Sequence, residues 1–297
     1  MRRTSGVDAV ILTWSLDCAT RMFDCLDGAG HRVGTLVTIQ SQRGRAEGLL
    51  ARDLARHRQL LEQAPPALDI VVAATVERLP GIVGSLSPEL LVCYGFPCRL
   101  PEAVLRVPPL GALNVHPSLL PRYRGPNPLG RSVRNGDDVG LSVHRMVTAF
   151  DAGQVLAQRA VSLRDDDDAD RIQAKVGELV ASVLPLAVER ARDGEPGTPQ
   201  DEARATRAPL FEDHELVVAW DRPARDIHNQ VRACALASSR TGRRGARAVV
   251  DDRPVRVLRT SLDATSGGLR VTCGDGPIWV VETDALPESE LADVQRA

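Results

Sequence analysis

The spacing of apolar positions changes character once along this chain. Over the first ~190 residues, apolar runs of strand length alternate with stretches whose apolar positions recur every three or four residues. VDAVILTW (7–14) is the first run. CATRMFDCLDGAG (18–30) has the helical spacing and ends in Gly. HRVGTLVTI (31–39), LDIVVAAT (68–75), ELLVCYGF (89–96) and GALNVHP (111–117) read as the second to fifth strands. Helical patterns lie between most of them, including RAEGLLARDLARHRQLLEQ (45–63). Strands and helices in alternation build βαβ units and an open, mostly parallel sheet. A nearly continuous apolar strand such as LDIVVAAT fits a sheet covered on both faces. Ligands of such sheets bind beyond the carboxyl ends of the strands. Tyr94-Gly95-Phe96 and Asn114-Val115-His116 end consecutive strands and so belong to one expected crevice.

VGLSVHRMV (139–147) is a further strand-like run, and DADRIQAKVGELVASVLPLAVERAR (168–192) is a long helix. RDGEPGTPQDEARATRAP (192–209) is rich in Gly, Pro and charge and reads as a linker. Beyond it come LVVAW, a helix through RPARDIHNQVRAC, and the short β-like runs ARAVV, PVRVLRTSL, GLRVTC and PIWVVE, separated by turn signals. The expected fold is α/β: an open, mostly parallel Rossmann-like sheet over residues 1–190, a linker over 191–210, and a small β-barrel or sandwich over 211–297. Asp165–Asp168 reads as a solvated loop entering a helix N-terminus, where negative charge suits the dipole.

Composition narrows the function. Apolar residues make up 43% and aromatics 3%, so the core must be aliphatic. A net charge of −2 supplies no broad basic field and argues against non-specific nucleic-acid binding. No apolar run approaches the ~18–20 residues of a membrane span. The opening MRRTSGVDAVILTW has no small-residue cleavage site and reads as a first strand rather than a signal peptide. The six cysteines form no CxxC and no zinc-like spacing with His, which implies reduced thiols, a cytoplasmic setting and no metal site. The first strand is not followed by GxGxxG, which argues against a nicotinamide cofactor.

The expected crevice holds an amide, Asn114, and an imidazole, His116. At positions i and i+2 of one strand they point to one face. Asp151, in AFDAGQV, follows the run VGLSVHRMV. A carboxylate can orient an imidazole, and an amide N–H can stabilise an oxyanion. Together they suit acyl transfer without a covalent intermediate. Ser118 lies near, but no G-x-S-x-G elbow surrounds it. The residues taken singly leave other readings open: His116 as a satisfied core histidine, Asn114 as a turn residue, Asp151 as a turn or cap.

LNVHPSLLPRYRG (113–125) closely resembles the motif of the folate-dependent formyltransferases. In that family Asn-x-His at a strand end precedes Ser-Leu-Leu-Pro, an aromatic and a Gly, and an Asp-x-Gly follows some way on. The matching positions are Asn114, His116, Ser118, Leu119, Leu120, Pro121, Tyr123, Gly125, Asp151 and Gly153. The resemblance implies an enzyme with 10-formyltetrahydrofolate as formyl donor and Asn114, His116 and Asp151 as catalytic residues. It implies a pterin site in YGFPCRLP, carried to Phe96, Cys98, Arg99 and Leu100, and completed by the segment from Met146 to Phe150. VVAWDRPARDIHNQVRA (217–233), with Trp220, Ile227, His228 and Arg232, looks like the start of the carboxy-terminal domain of the methionyl-tRNA formyltransferase branch. The resemblance there implies an OB-like barrel.

The chain departs from that branch in places. Its first strand leads into Thr13-Trp14-Ser15-Leu16 rather than a small turn. The loop after the second strand offers only Arg43 and Arg45 as basic groups. From Phe211 onward acidic residues slightly outnumber basic ones, although Arg240, Arg243, Arg244 and Arg247 cluster. The expected acceptor is therefore a small-molecule amine, such as an amino sugar, a hydroxylated ornithine or a peptide-antibiotic precursor. Initiator tRNA is the alternative, and a folate-binding homologue without catalysis a third reading.

Overall fold

The structure, a computed structural model, describes residues 6–40, 47–237, 244–287 and 290–291. The chain enters through β1 (Asp8–Leu12), whose last four residues are buried. Ser15 then starts α1 (Leu16–Gly28) by accepting the Cys18 amide at 3.4 Å, and Ala19, Met22 and Leu26 bury one stripe of that helix. The next elements are β2 (Arg32–Ile39), α2 (Glu47–Gln63), β3 (Asp69–Ala73), α3 (Leu79–Leu86), β4 (Leu90–Tyr94), α4 (Glu102–Leu105) and β5 (Ala112–His116). They continue with α5 (Pro128–Arg134), β6 (Val139–Arg145), β7 (Val155–Val161) and α6 (Ala169–Arg192).

The seven strands form one sheet in the order β3-β2-β1-β4-β5-β6-β7. Pairing is parallel from β3 through to β5, and β6 runs antiparallel to β5. The expected mostly parallel α/β sheet is present. All five residues of β4 are buried, as a central strand requires. LDIVVAAT behaves differently from the expectation of two covered faces. β3 is the outermost strand, and Val72 is 45% exposed. An apolar run reports β propensity but not whether a neighbour exists on each side. Val10, Leu12, Val37, Leu91 and Cys93 of the strands pack with Leu79, Val83, Leu100 and Val104 as one apolar cluster.

The chain divides into two compact units. The first holds residues 1–121, 141–159 and 177–205, and the second residues 122–140, 160–176 and 206–297. The second contains α7 (Ala224–Leu236), β8 (Ala246–Val250), β9 (Arg253–Ser261), β10 (Leu269–Thr272) and β11 (Pro277–Ala285). Its strands form a separate antiparallel sheet, order β10-β11-β9-β8, and register shifts between β11 and β9 at Val280 to Thr283 curl it. α7 packs on β9 and α5. Gly130 in α5 is required there. A Cβ would sit 2.8 Å from that of Ala237 and 2.3 Å from Asn127 Oδ1.

Two expectations for charged stretches are corrected. Asp165–Asp168 is not simply a solvated loop. Asp167 is 1% exposed, accepts the Arg164 amide at 2.7 Å and pairs with Lys175 at 2.5 Å. Only Asp168, which caps α6 through the Arg171 amide at 3.0 Å, acts as the helix-start reading expects. Arg247 is no part of an exposed basic cluster. It is 0% exposed in β8 and pairs with Glu290 at 3.1 Å. Arg43, Arg45, Arg240 and Arg243 lie outside the described residues. No helix among the described residues is long and apolar enough to cross a membrane.

Candidate active site

Strand register assembles the candidate site. Leu12 of β1 stands opposite Cys93 of β4, Cys93 opposite Asn114 of β5, and Asn114 opposite His144 of β6. His116 follows two residues on, at the carboxyl end of β5, with Ser142 across from it. The chain leaves β6, turns, and returns in β7. At that turn Asp151 takes a left-handed conformation, with φ of 54°. Asp is among the few non-glycine residues that enter this region at low cost. Gly153 follows because a Cβ there would lie 1.8 Å from the Arg145 carbonyl oxygen.

Asp151 Oδ1 is the hub. It accepts from Asn114 Nδ2 at 3.3 Å and lies 3.6 Å from His116 Nδ1 and 3.7 Å from His144 Nε2. His116 is buried, and the Asp151 side chain is nearly so. The two imidazoles meet edge to face, their centroids 6.3 Å apart. His144 Nδ1 is 2.9 Å from the Arg145 carbonyl, which can only accept. Nδ1 therefore carries the hydrogen, and Nε2 is left to accept from Asn114 Nδ2 at 3.1 Å. Both amide hydrogens of Asn114 are thus aimed within the cluster, the one toward Asp151 over the longer distance.

The structure brings together the three residues singled out as catalytic, and adds two. His144 lay within VGLSVHRMV, and only strand pairing puts it opposite Asn114. Gln200, in the expected linker, donates to the carbonyls of Asp151 at 2.8 Å and Gly153 at 2.7 Å, which holds the turn. No periodicity marks such a residue. A side-chain amide among turn residues, about fifty positions past the carboxylate, was the only trace. The Ser-Leu-Leu-Pro segment is fixed from beneath. Ser142 Oγ donates to the Ser118 carbonyl at 2.6 Å and accepts the Leu120 amide at 3.1 Å, and Gln158 bonds both Leu120 O and Ser142 Oγ.

The six positions singled out for a donor fall into three groups. Phe96, Leu100 and Met146 share the apolar cluster beside β4 and α4. Leu100 is 3% exposed, so only its backbone remains to meet a ligand. Arg99 lies over the Phe150 ring at 5.8 Å and donates to the Thr148 carbonyl. Phe150 is 56% exposed. Cys98 is half-buried. A cavity of about 380 Å³ opens beside them, lined by Leu105, Ala112, Met146, Val147, Gly153 and Gln154 among others.

Two thiols near the site, Cys18 and Cys93, are not nucleophiles. Burial pushes Cys18 up to about 11 and Cys93 up to about 12, and the Asp151 charge adds to the effect at Cys93. A buried thiol without a thiolate is inert at neutral pH. The cluster therefore offers an imidazole, a carboxylate and an amide: proton transfer and oxyanion stabilisation, to which neither of these two thiols adds a nucleophile.

A family model described as formyl transferase matches residues 10–188. A methionyl-tRNA formyltransferase of Pelobacter propionicus is 33% identical over 284 residues, which span 86% of each protein. Two solved structures share the fold. HypX of Aquifex aeolicus in complex with tetrahydrofolic acid gives a TM-score of 0.66 at 18% identity, over 96% of this chain and 45% of HypX. A Mycobacterium tuberculosis protein described as a likely sugar N-formyltransferase gives 0.60 at 22% identity, over 87% of this chain and 99% of that one.

Proposed function

Because the chain belongs to the formyl transferase family, we propose that it moves a formyl group from 10-formyltetrahydrofolate to the amine of a small molecule. The observation that carries the reading is the convergence of Asn114 and His116 on one carboxylate oxygen of Asp151, beside a cavity with an apolar wall. That cavity suits a flat heterocycle. Leu105, Ala112 and Met146 give it apolar surface, and the turn after Asp151 gives it backbone groups. Phe96, Cys98, Arg99, Leu100 and Phe150 would form its surroundings. Catalysis belongs to residues 1–190, with 191–210 as the connection and 211–297 as a small OB-like domain.

The chemistry follows from the donors available. As the acceptor nitrogen bonds to the formyl carbon, charge builds on the formyl oxygen. Asn114 Nδ2 exchanges its 3.3 Å bond to Asp151 for that oxygen, the weaker of its two contacts. His116 takes the proton from the attacking nitrogen and returns it to the departing donor nitrogen as that carbon–nitrogen bond breaks. Asp151 orients the imidazole. Proton transfer of this kind contributes roughly 10²–10⁴-fold, and one oxyanion donor about 10²–10³-fold.

The preference for a small amine rests on charge. Net charge is −2, and Arg247 is buried, so one of the four clustered arginines is withdrawn from any phosphate-binding face. The similarity to methionyl-tRNA formyltransferase over 86% of both lengths favours the second reading, initiator tRNA. Salt decides between them. A protein neutralising six to ten phosphates loses roughly 10³–10⁵ in affinity between 50 and 200 mM salt. Formylation of charged initiator tRNA is measured across that range, beside formylation of amino sugars and hydroxyornithine. Fast small-amine turnover with little salt dependence fits the proposal. Efficient tRNA formylation that falls steeply with salt replaces it with the second reading.

A further inference from the structure

Trp14 stands at the rim of the crevice in a chain with only 3% aromatic residues. It lies two residues beyond Leu12, and Leu12, Cys93 and Asn114 are in register across three neighbouring strands. Two strand spacings separate β1 from β5, so Leu12 and Asn114 are about 10 Å apart. Trp14 thus emerges at the same carboxyl edge as His116, across the end of β4. That end is Gly95, exposed and with φ of 62°, whose lack of a side chain keeps the edge between them low. The donor cavity and its surroundings lie at β4 to β6. Trp14 lies on the other flank.

Trp14 is partly exposed, and the exposed Arg56 of α2 sets its guanidinium 4.3 Å from the ring centroid. A core tryptophan would be enclosed by aliphatic side chains. This one is covered by a charged, planar group that can itself stack and can also bind phosphate in a forked geometry. We propose that Trp14 and Arg56 form an acceptor subsite for a nucleotide, the base stacking on the Trp14–Arg56 layer and a phosphate meeting the Arg56 guanidinium. The proposal rests on the formyl-transfer reading and sharpens its acceptor: an amine carried about 10 Å from a nucleotide. Two sources have this chemistry, a nucleoside-diphosphate amino sugar and the terminal adenosine nucleotide of an aminoacylated tRNA.

The test is titration of the full chain with UMP, AMP, adenosine and inorganic phosphate, read by quenching of tryptophan fluorescence and by calorimetry. Trp14→Ala should weaken nucleotide binding roughly 10-fold or more, and Trp14→Phe should restore most of it. Arg56→Gln should weaken UMP or AMP but leave adenosine unchanged. Preference for UMP points to the amino sugar, and preference for AMP to the tRNA end. 5-Formyltetrahydrofolate is titrated in parallel and should bind the wild type and all three variants equally. Nucleotides that bind none of the proteins at millimolar concentration, or bind Trp14→Ala as well as the wild type, overturn the subsite. Failure of the wild type to bind 5-formyltetrahydrofolate instead counts against the formyl-transfer reading. Should Trp14→Ala alone lose the folate compound, it is unfolded and Arg56→Gln decides.

Discussion

The molecule contains two buried polar clusters built from nearly the same residue types. One centres on Asp151 with His116, His144 and Asn114. The other joins His228, Asn229, Arg232 and Thr260 to the backbone carbonyls of Asp165 and Asp167 within the second unit. They differ in how tightly they are held. Around Asp151 Oδ1 the contacts run 3.3, 3.6 and 3.7 Å. In the second cluster His228 bonds Thr260 Oγ1 and the Asp165 carbonyl at 2.9 Å each, and Arg232 bonds the Arg164 carbonyl at 2.9 Å and Asn229 at 2.6 Å. Both ring nitrogens of His228 are taken up by short bonds, which leaves this imidazole no capacity for a ligand. Long contacts around a shared carboxylate leave donors that can be traded. A histidine beside an aspartate is therefore weak grounds for catalysis, and the geometry of the bonds separates the two cases.

The comparison makes the two clusters fail in opposite ways. His116→Ala should lower turnover at least ~100-fold, and Asn114→Ala about as much, with little change in unfolding midpoint, since neither removes a large apolar contact. Near wild-type single-turnover rates for either variant would erase the distinction. Arg232→Met should do the reverse. It strips hydrogen bonds from the carbonyls of Arg164 and Asp167 and from Asn229, and should cost roughly 2–4 kcal/mol in urea unfolding while the folded fraction keeps its kcat.

Acid provides a further contrast. Burial holds His228 down to about 4, with the nearby Arg232 charge adding to the effect, against an ordinary value of 6.5. Between those values the unfolded chain binds a proton that the folded chain refuses. Stability should therefore fall as pH drops from about 6.5 toward about 4, by roughly 3 kcal/mol in all. In His228→Gln that share of the slope should vanish, as read from urea unfolding at a series of pH values, leaving the smaller share of His31, which burial also holds below its ordinary value. A slope that persists unchanged would locate the acid sensitivity elsewhere. The smallest effect is expected at Gln200. Losing two bonds to the Asp151 turn should lower kcat about 10-fold in Gln200→Ala, with the unfolding midpoint shifted by only a few degrees. A kcat equal to wild type would show that the turn holds without it.

Much of this was legible in the chain. The strands through β5, the long helix α6, and the short strands of the second sheet follow from apolar runs and turn residues. β7 was missed because only Leu156 and Ala157 of its seven residues are buried, and polar Gln158 and Arg159 interrupt the apolar run. Asn114, His116 and Asp151 were legible through a long motif whose two halves sit thirty-five residues apart. Within the Asp165–Asp168 run only Asp167 departs from the solvated-loop and helix-start reading, because nothing local announces the Lys175 and Arg232 groups that close over it.

Sequence by itself determined the strands through β5, the long helix α6 and the short strands of the second sheet, the crevice at the strand ends, and the three side chains placed in it. Those are local matters: periodicity, turn chemistry, and a motif read along one segment. Tertiary structure alone decided what depends on pairing across the chain. It set β3 at the edge, brought His144 opposite Asn114, turned Gln200 onto the Asp151 loop, and laid Arg56 over Trp14. Hydrogen bonds and stacking act over a few ångströms in space, whereas these partners lie from thirty to about fifty residues apart in sequence, so no local pattern carries them.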